Sequence, residues 1–250
     1  VGEGRPEVAY AAALARIHDA GFASHPEAAA REVLRRLHRA RLEEGLIVDL
    51  GCGSGIMAQR LSDAGYEVLG VDQSAAMLEI ARSRAPRARF VRGSFVDAEI
   101  PPCVAVTAIG EVLGYAVDAR AGREALRSVL ARAREALVPD GLLLFDLAGP
   151  GRGPRVRPRR TWRAGDDWAV CLETTEDAAS ATLTRRHIFF ARERDAWQRE
   201  DEVHTLLLHE PREVLEDLRA AGFRARVVRR YADLRFPRGL AGFAARPGPA

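Results

Sequence analysis

A short apolar run ending in an acid, Ile47-Val48-Asp49-Leu50, passes directly into Gly51-Cys52-Gly53-Ser54-Gly55. Glycines at alternate positions let a backbone turn sharply, approach a ligand with no side chain in the way, and leave free N–H groups at the start of a following helix. That is the chemistry of a nucleotide cradle. A dinucleotide fingerprint needs glycine at the sixth position counted from Gly51, where this chain has Ile56, so the spacing is G-x-G-x-G. A second apolar run, Val68-Leu69-Gly70-Val71, ends in Asp72, 23 residues after Asp49. A nucleotide-binding βαβ unit places there the acid that accepts hydrogen bonds from ribose hydroxyls. Gln73 beside it is within reach of ribose or base.

Together these features resemble the class I S-adenosylmethionine-dependent methyltransferases of the small-molecule type. Their first motif is an acid followed by G-x-G-x-G, and their second strand ends in a ribose-binding acid. The resemblance covers residues 46–147 well and the remainder loosely. It implies S-adenosyl-L-methionine as cofactor, held by Asp49, Gly51, Cys52, Gly53, Asp72, Gln73, Met77, Ser94, Phe95, Ile109 and Gly110. Cys52 is expected as a small filler of the loop and not as a nucleophile. Asp49 is expected to cap its own loop or to act indirectly on the sulfonium end, since a carboxylate near a fixed positive sulfur is favourable. Ser94 stands where the family commonly has an acid touching the adenine amine. The N–H and ring of Phe95 are the contacts that remain, with Asp97 as the alternative partner if the register shifts.

In the family the tip of the fourth strand, here Ile109-Gly110-Glu111-Val112-Leu113-Gly114-Tyr115, lies between cofactor and substrate. Glu111 and Tyr115 are therefore the polar candidates for the reacting end. His18 is a third catalytic candidate, and His25, His187, His204 and His209 are further residues that could face the substrate, one of the five acting as general base. No His or Cys spacing completes a tetrahedral set, so no metal is expected. The tip lacks the N/D-P-P-aromatic motif of enzymes that methylate exocyclic amines of nucleobases. Pro101-Pro102-Cys103 precedes its strand, whereas the nucleophile loop of cytosine C5 enzymes follows it.

All 38 basic residues are Arg, against 35 acids, for a net charge of +3. Arg without Lys fits a coding bias better than adaptation to a polyanion, so a nucleic-acid partner is disfavoured. One cluster, Arg152, Arg155, Arg157, Arg159, Arg160 and Arg163, keeps an RNA methyltransferase open as the alternative and gives a weaker expectation of contact with an anionic group. A non-catalytic cofactor-binding regulatory protein is the other alternative. Cys52, Cys103 and Cys171 are odd in number and far apart, the N-terminus has no signal-peptide pattern, and no apolar run approaches the ~18 residues of a membrane span. The expectation is a cytoplasmic enzyme that methylates an O or N atom of a small molecule or natural-product intermediate. Its oligomeric state is open, a dimer being one option.

Elements must position these residues, and 250 residues suffice for one α/β domain with an insertion. Residues 1–45 read as a helical cap. Pro6 suits a first turn, Tyr10, Leu14 and Ile17 share one helical face, and Ser24 with Glu27 makes a capping box before Val33, Leu34 and Leu37. Residues 46–149 read as the cofactor-binding core. Strands near 46–50, 67–71, 89–92, 103–109 and 141–147 alternate with helices near 55–64, 75–84 and 119–137, the last capped by Asp118 and ended by the turn Pro139-Asp140-Gly141. This pattern predicts a doubly wound, mostly parallel seven-stranded sheet. Gly149 to Pro154 reads as a linker or mobile loop. Residues 150–209, with β-rich runs at 168–175, 181–190 and 201–208, read as an antiparallel insertion over the substrate. Residues 210–250 bring a helix from Pro211 and strands near 224–230 and 240–245 to complete the sheet.

Overall fold

A computed structural model of the chain describes Tyr10, residues 12–193 and residues 196–248. Two helices, α1 (Ala12–Gly21) and α2 (Ser24–Arg39), lead into β1 (Leu46–Leu50), α3 (Ile56–Asp63), β2 (Glu67–Asp72), α4 (Ala75–Arg84), β3 (Arg89–Arg92), β4 (Cys103–Ala108), α5 (Arg123–Ala136) and β5 (Leu137–Ala148). Four strands follow without a helix: β6 (Arg159–Ala164), β7 (Trp168–Asp177), β8 (Thr182–Glu193) and β9 (Ala196–Leu207). The chain then adds α6 (Pro211–Ala220), β10 (Phe223–Val228), the small pair β11 (Arg230–Tyr231) and β12 (Leu234–Arg235), and β13 (Leu240–Pro247).

The main sheet has the order β10-β13-β5-β4-β1-β2-β3. Strands β1 to β5 pair in parallel, and β13 lies antiparallel to both β5 and β10. The fold class read from the sequence is therefore borne out. Successive core residues point to opposite faces of a strand. Val48, Leu143 and Phe145 accordingly join the core under α5 and α6, while Ile47, Leu142 and Leu144 join the core under α2 and α3. The chain leaves β1 toward β2 and β3, then returns across β1 to β4. This reversal opens a crevice at the carboxyl ends of β1 and β4, the place where open α/β sheets take ligands.

Several local readings are corrected. Tyr10 is not on the helical face with Leu14 and Ile17; it precedes α1 in a left-handed conformation, φ 62. Pro6 lies outside the described residues. The Ser24–Glu27 capping box does not form: Ser24 is already helical, and the Glu27 carboxylate instead accepts from Arg60 at 2.8 Å. Asp118 does not cap α5, whose N-cap is Gly122; its carboxylate accepts from the backbone and side chain of Arg120. Pro139-Asp140-Gly141 lies within β5, where the register with β4 jumps from Leu137, opposite Cys103, to Leu142, opposite Ala105. Asp140, φ 61, makes that bulge.

The insertion is a separate antiparallel sheet ordered β6-β7-β8-β9. The β-rich runs of the sequence do not include its first strand, because every side chain of β6 is exposed and no apolar alternation marks it. The Gly149–Pro154 stretch is not a free linker. Gly149 donates to the Gly239 carbonyl at 2.7 Å, and Gly151 and Gly153 donate to the buried Glu176 carboxylate at 2.9 and 3.0 Å. Helix α1 packs on this insertion: Leu14 and Ile17 share a buried cluster with Val170, Phe189 and Ala191.

Candidate active site

The glycine loop and the acid meet through a direct bond. Gly51, Gly53 and Gly55 all have positive φ, at 66, 53 and 76. Gly51 and Cys52 donate to the Val71 carbonyl at 2.7 and 3.1 Å, which lays the loop against the end of β2. Gly53 N–H then donates to Asp72 Oδ2 at 2.9 Å, and Ser74 N–H donates to Oδ1 at 2.8 Å. Burial raises the Asp72 carboxyl above its ordinary range, while these backbone donors pull it back. Asp72 is not the cap of α4. That part falls to Ser74, whose Oγ accepts from Met77 N at 3.1 Å.

A cleft opens over this bond. Gly51, Gly53, Asp72, Gln73, Met77, Phe95, Ile109, Gly110, Tyr115 and His18 line it, together with Tyr10, Val71, Ser74, Gly93, Val112 and Val117, which the sequence reading did not assign. Three expected cofactor residues are not in its wall. Asp49 is fully buried, accepts from Thr107 Oγ1 at 2.7 Å, and is raised by burial to about 7. Ser94 holds its own loop, accepting from Val96 N at 3.2 Å and from Gln73 Nε2 at 3.4 Å. Cys52 lines a neighbouring hollow instead, its sulfur packed near Gly70 and its thiol pushed well up by burial. Asp97, the alternative to Ser94, is an exposed partner of Arg120 at 2.9 Å.

That neighbouring hollow shares Tyr10, His18, Gly51, Gly53, Ile109, Gly110 and Tyr115 with the cleft, so the two are continuous. Its wall is built by α1, α2, the sheet tip, the insertion and the β12 region. The tip bends there through Gly110, φ 95, and Glu111, φ 65. A non-glycine residue in that region costs about 1–2 kcal/mol, so other bonds must fix it. Asp146, at the end of β5, supplies them: its Oδ1 accepts from Gly110 N at 3.0 Å and from Glu111 N at 2.6 Å. Asp146 Oδ2 contacts His25 Nε2 at 3.0 Å. Burial lowers the His25 imidazole, but the Asp146 contact outweighs it and the net shift is upward.

Glu111 does not present a free carboxylate to the site. It is buried between Arg152, with Nε–Oε1 at 2.7 Å, and Arg185, with Nη2–Oε2 at 2.5 Å. Burial opposes its charge, but the two guanidinium groups hold the carboxyl below its usual range. Most of the basic cluster is likewise internally engaged: Arg155 with Glu176, Arg160 with Glu173, and Arg163 with the Gly21 carbonyl.

The tyrosines and histidines form one partly buried group. Tyr10 Oη and Tyr115 Oη lie 3.0 Å apart, and the Tyr10 ring packs against His18 and His204 with centroids 4.9 and 4.8 Å away. Ser74 Oγ donates to the Tyr10 carbonyl at 2.7 Å and Tyr10 N donates to Glu202 at 2.8 Å, tying Tyr10 to the cap of α4 and to β9. Burial lowers His18 to about 4 and His187 to about 3. Of the other histidines, His25 and His187 line the hollow, while His204 and His209 do not. Only chain proximity in three dimensions could have found Tyr10, Arg185 and Asp146; no spacing in the sequence links them.

A methyltransferase-domain family model matches residues 47–141. A trans-aconitate 2-methyltransferase of Variovorax paradoxus is 30% identical over 82% of this chain and 78% of its own length. Among solved structures, an S-adenosylmethionine-dependent methyltransferase from Clostridium acetobutylicum superposes with a TM-score of 0.78 at 16% identity, covering 95% of this chain and 98% of that one. The sugar N-methyltransferase KedS8 from Streptoalloteichus superposes at 0.76 with 18% identity, covering 100% and 98%.

Proposed function

This chain belongs to the class I S-adenosylmethionine-dependent methyltransferases, and from that premise we propose that the continuous cleft and hollow seat donor and acceptor side by side. S-adenosylmethionine is the methyl donor of this family, and the acceptor is a small molecule methylated on O or N. The residues present fit the donor. A side chain at Gly53 or Gly110 would enter open space, meeting nothing within 4 Å, so bare backbone faces the cleft at both places. We assign Asp72 to the ribose hydroxyls, since each of its oxygens spends only one bond on the backbone. Gln73, Met77 and Phe95 are placed around the adenosine, and Gly51, Ile109 and Gly110 at the methionine end.

When bound, the donor supplies a methyl group on a sulfonium whose departure leaves a neutral thioether. The protein's part is alignment and exclusion of water, which contributes roughly 7–11 kcal/mol in well-oriented reactions. Glu111 is a positioning residue, because two arginines neutralise it and its backbone sets the tip. His18, with its proton affinity depressed to about 4, is neutral near pH 7 and too weak to be the base. Its Nδ1 is buried without a hydrogen-bond partner, which leaves it open to a bond with the acceptor molecule. His25, oriented by Asp146, is better matched to take a proton where the acceptor must lose one. The free thiols Cys52, Cys103 and Cys171 suit a reducing cytoplasmic setting. No helix among the described residues is long and apolar enough to cross a membrane.

The observation that supports the reading most is the Gly53–Asp72 bond beneath a glycine-lined cleft. Calorimetry with S-adenosylhomocysteine tests it. The chain should bind this product with one-to-one stoichiometry, and Asp72→Asn should weaken binding by about tenfold or more, the loss of one to two hydrogen bonds to a charged group. Equal affinity in the variant would remove Asp72 from the role given to it.

A further inference from the structure

The hollow beside the cofactor cleft carries more positive than negative charge. Arg152, Arg159, Arg163, Arg185 and Arg235 line it, against the carboxylates of Glu111 and Asp146. The whole chain has a net charge of only +3, so this concentration is local. These arginines come from the loop after β5, from β6, β8 and β12; the fold gathers them, not a run in the sequence.

Glu111 is shared between Arg152 and Arg185, whose side chains are 15% and 12% exposed. Two guanidinium groups and one carboxylate leave one positive charge in a largely covered wall. Asp146, held by the Gly110 and Glu111 amides and by His25, adds a second negative charge to this wall, and the five arginines of the hollow still outnumber the two carboxylates. Arg163 lies over the Phe22 ring, 4.7 Å from its centroid, and donates to the Gly21 carbonyl. Both partners are neutral and leave its charge standing. Arg159 and Arg235 are exposed at the mouth, and among the described residues no carboxylate pairs with either.

We propose that this hollow holds the methyl acceptor by an anionic group, a carboxylate or a phosphate, gripped by Arg159, Arg163 and Arg235 in front of the Arg152–Glu111–Arg185 wall. The proposal rests on the methyltransferase reading and names the acceptor class for it. A planar guanidinium fork matches two oxygens of a carboxylate or phosphate, and convergent forks from separate elements select for such a group. An acceptor whose only charge is an ammonium would be repelled here by the wall and by the sulfonium alike. An anion is drawn to both.

Calorimetry on the full chain tests this with citrate for the carboxylate source, inorganic pyrophosphate for the phosphate source and glucose as the neutral control, each with and without S-adenosylhomocysteine. At least one anion should bind one to one, more weakly as salt rises, while glucose gives no heat. Citrate binding alone assigns a carboxylate, pyrophosphate binding alone a phosphate, and binding of both a site for either. The double variant Arg159→Gln/Arg235→Gln should weaken the anion by about tenfold or more. Its affinity for S-adenosylhomocysteine should stay that of the parent, which also reports an intact fold. Silence from both anions, or anion affinity unchanged in the double variant, would overturn the proposal. Anion binding without S-adenosylhomocysteine binding would support this site and count instead against the cofactor reading.

Discussion

Gly51 and Gly53 sit two residues apart in the same left-handed conformation, yet they answer to different neighbours. A methyl group at Gly51 would run into the Val112 side chain, whereas at Gly53 it would meet no protein atom within 4 Å. Gly51→Ala should therefore lose stability through both strain and collision, about 2–4 kcal/mol by urea unfolding. Gly53→Ala should cost only about 1–2 kcal/mol but put its methyl into the cleft, so S-adenosylhomocysteine binding should fall far more than stability does. Similar losses of both properties in the two variants would argue against the assigned cleft. Glu111 gives a third residue-level expectation. Glu111→Gln leaves two guanidinium groups in a wall without their carboxylate, and removing one partner of a buried ion pair costs about 3–5 kcal/mol. Urea unfolding should show a loss of that size; a change near zero would mean the triad contributes nothing to the fold. The G-x-G-x-G loop and Asp72 were legible because the covalent spacing itself carries their chemistry. Glu111 was legible as a polar residue of the tip, but its ion pairs were not, since its two arginines lie 41 and 74 residues further along the chain.

At the scale of elements, α1 is bound to the insertion through Leu14, Ile17, Val170 and Phe189 and to α4 through the Asp19–Arg84 ion pair, while the Tyr10 ring bridges His18 of α1 to His204 of β9. His18 and His187 are lowered by burial to about 4 and about 3. Against an unfolded value of about 6.5, their contribution to stability is complete above pH 6.5 and is lost as pH falls toward 4. Asp49, raised to about 7, acts in the opposite sense, its contribution fading as pH rises through 7. His25, raised by Asp146, does likewise. Thermal unfolding followed from pH 7 to 4 should show a shallower decline in His18→Gln/His187→Gln than in the parent, and parallel curves would contradict the burial argument. The parallel strands were legible from their apolar runs and the turns between them. Strand β6 was not, because an edge strand with all six side chains exposed has no period to read. Nor was the β11–β12 pair, with only two residues in each strand.

The whole molecule divides its labour between a sheet whose reversal opens a crevice and a set of additions that close it. Tyr10, α1, α2 and the insertion contribute side chains to the hollow that the core alone would leave open. The cleft over the glycine loop was largely readable, since one βαβ unit builds most of it from contiguous residues. The neighbouring hollow was not, because Tyr10, Arg159, Arg185 and Arg235 converge on it from distant parts of the chain. The account stands on a single placement: the adenosyl group over the Gly53–Asp72 bond, its sulfur end at the Gly110 bend. A crystal structure of the chain grown with saturating S-adenosylhomocysteine measures this most directly. The account predicts ribose hydroxyls on the Asp72 carboxylate and adenine beside Phe95. Well-ordered product bound elsewhere, with Asp72 facing solvent, would contradict it.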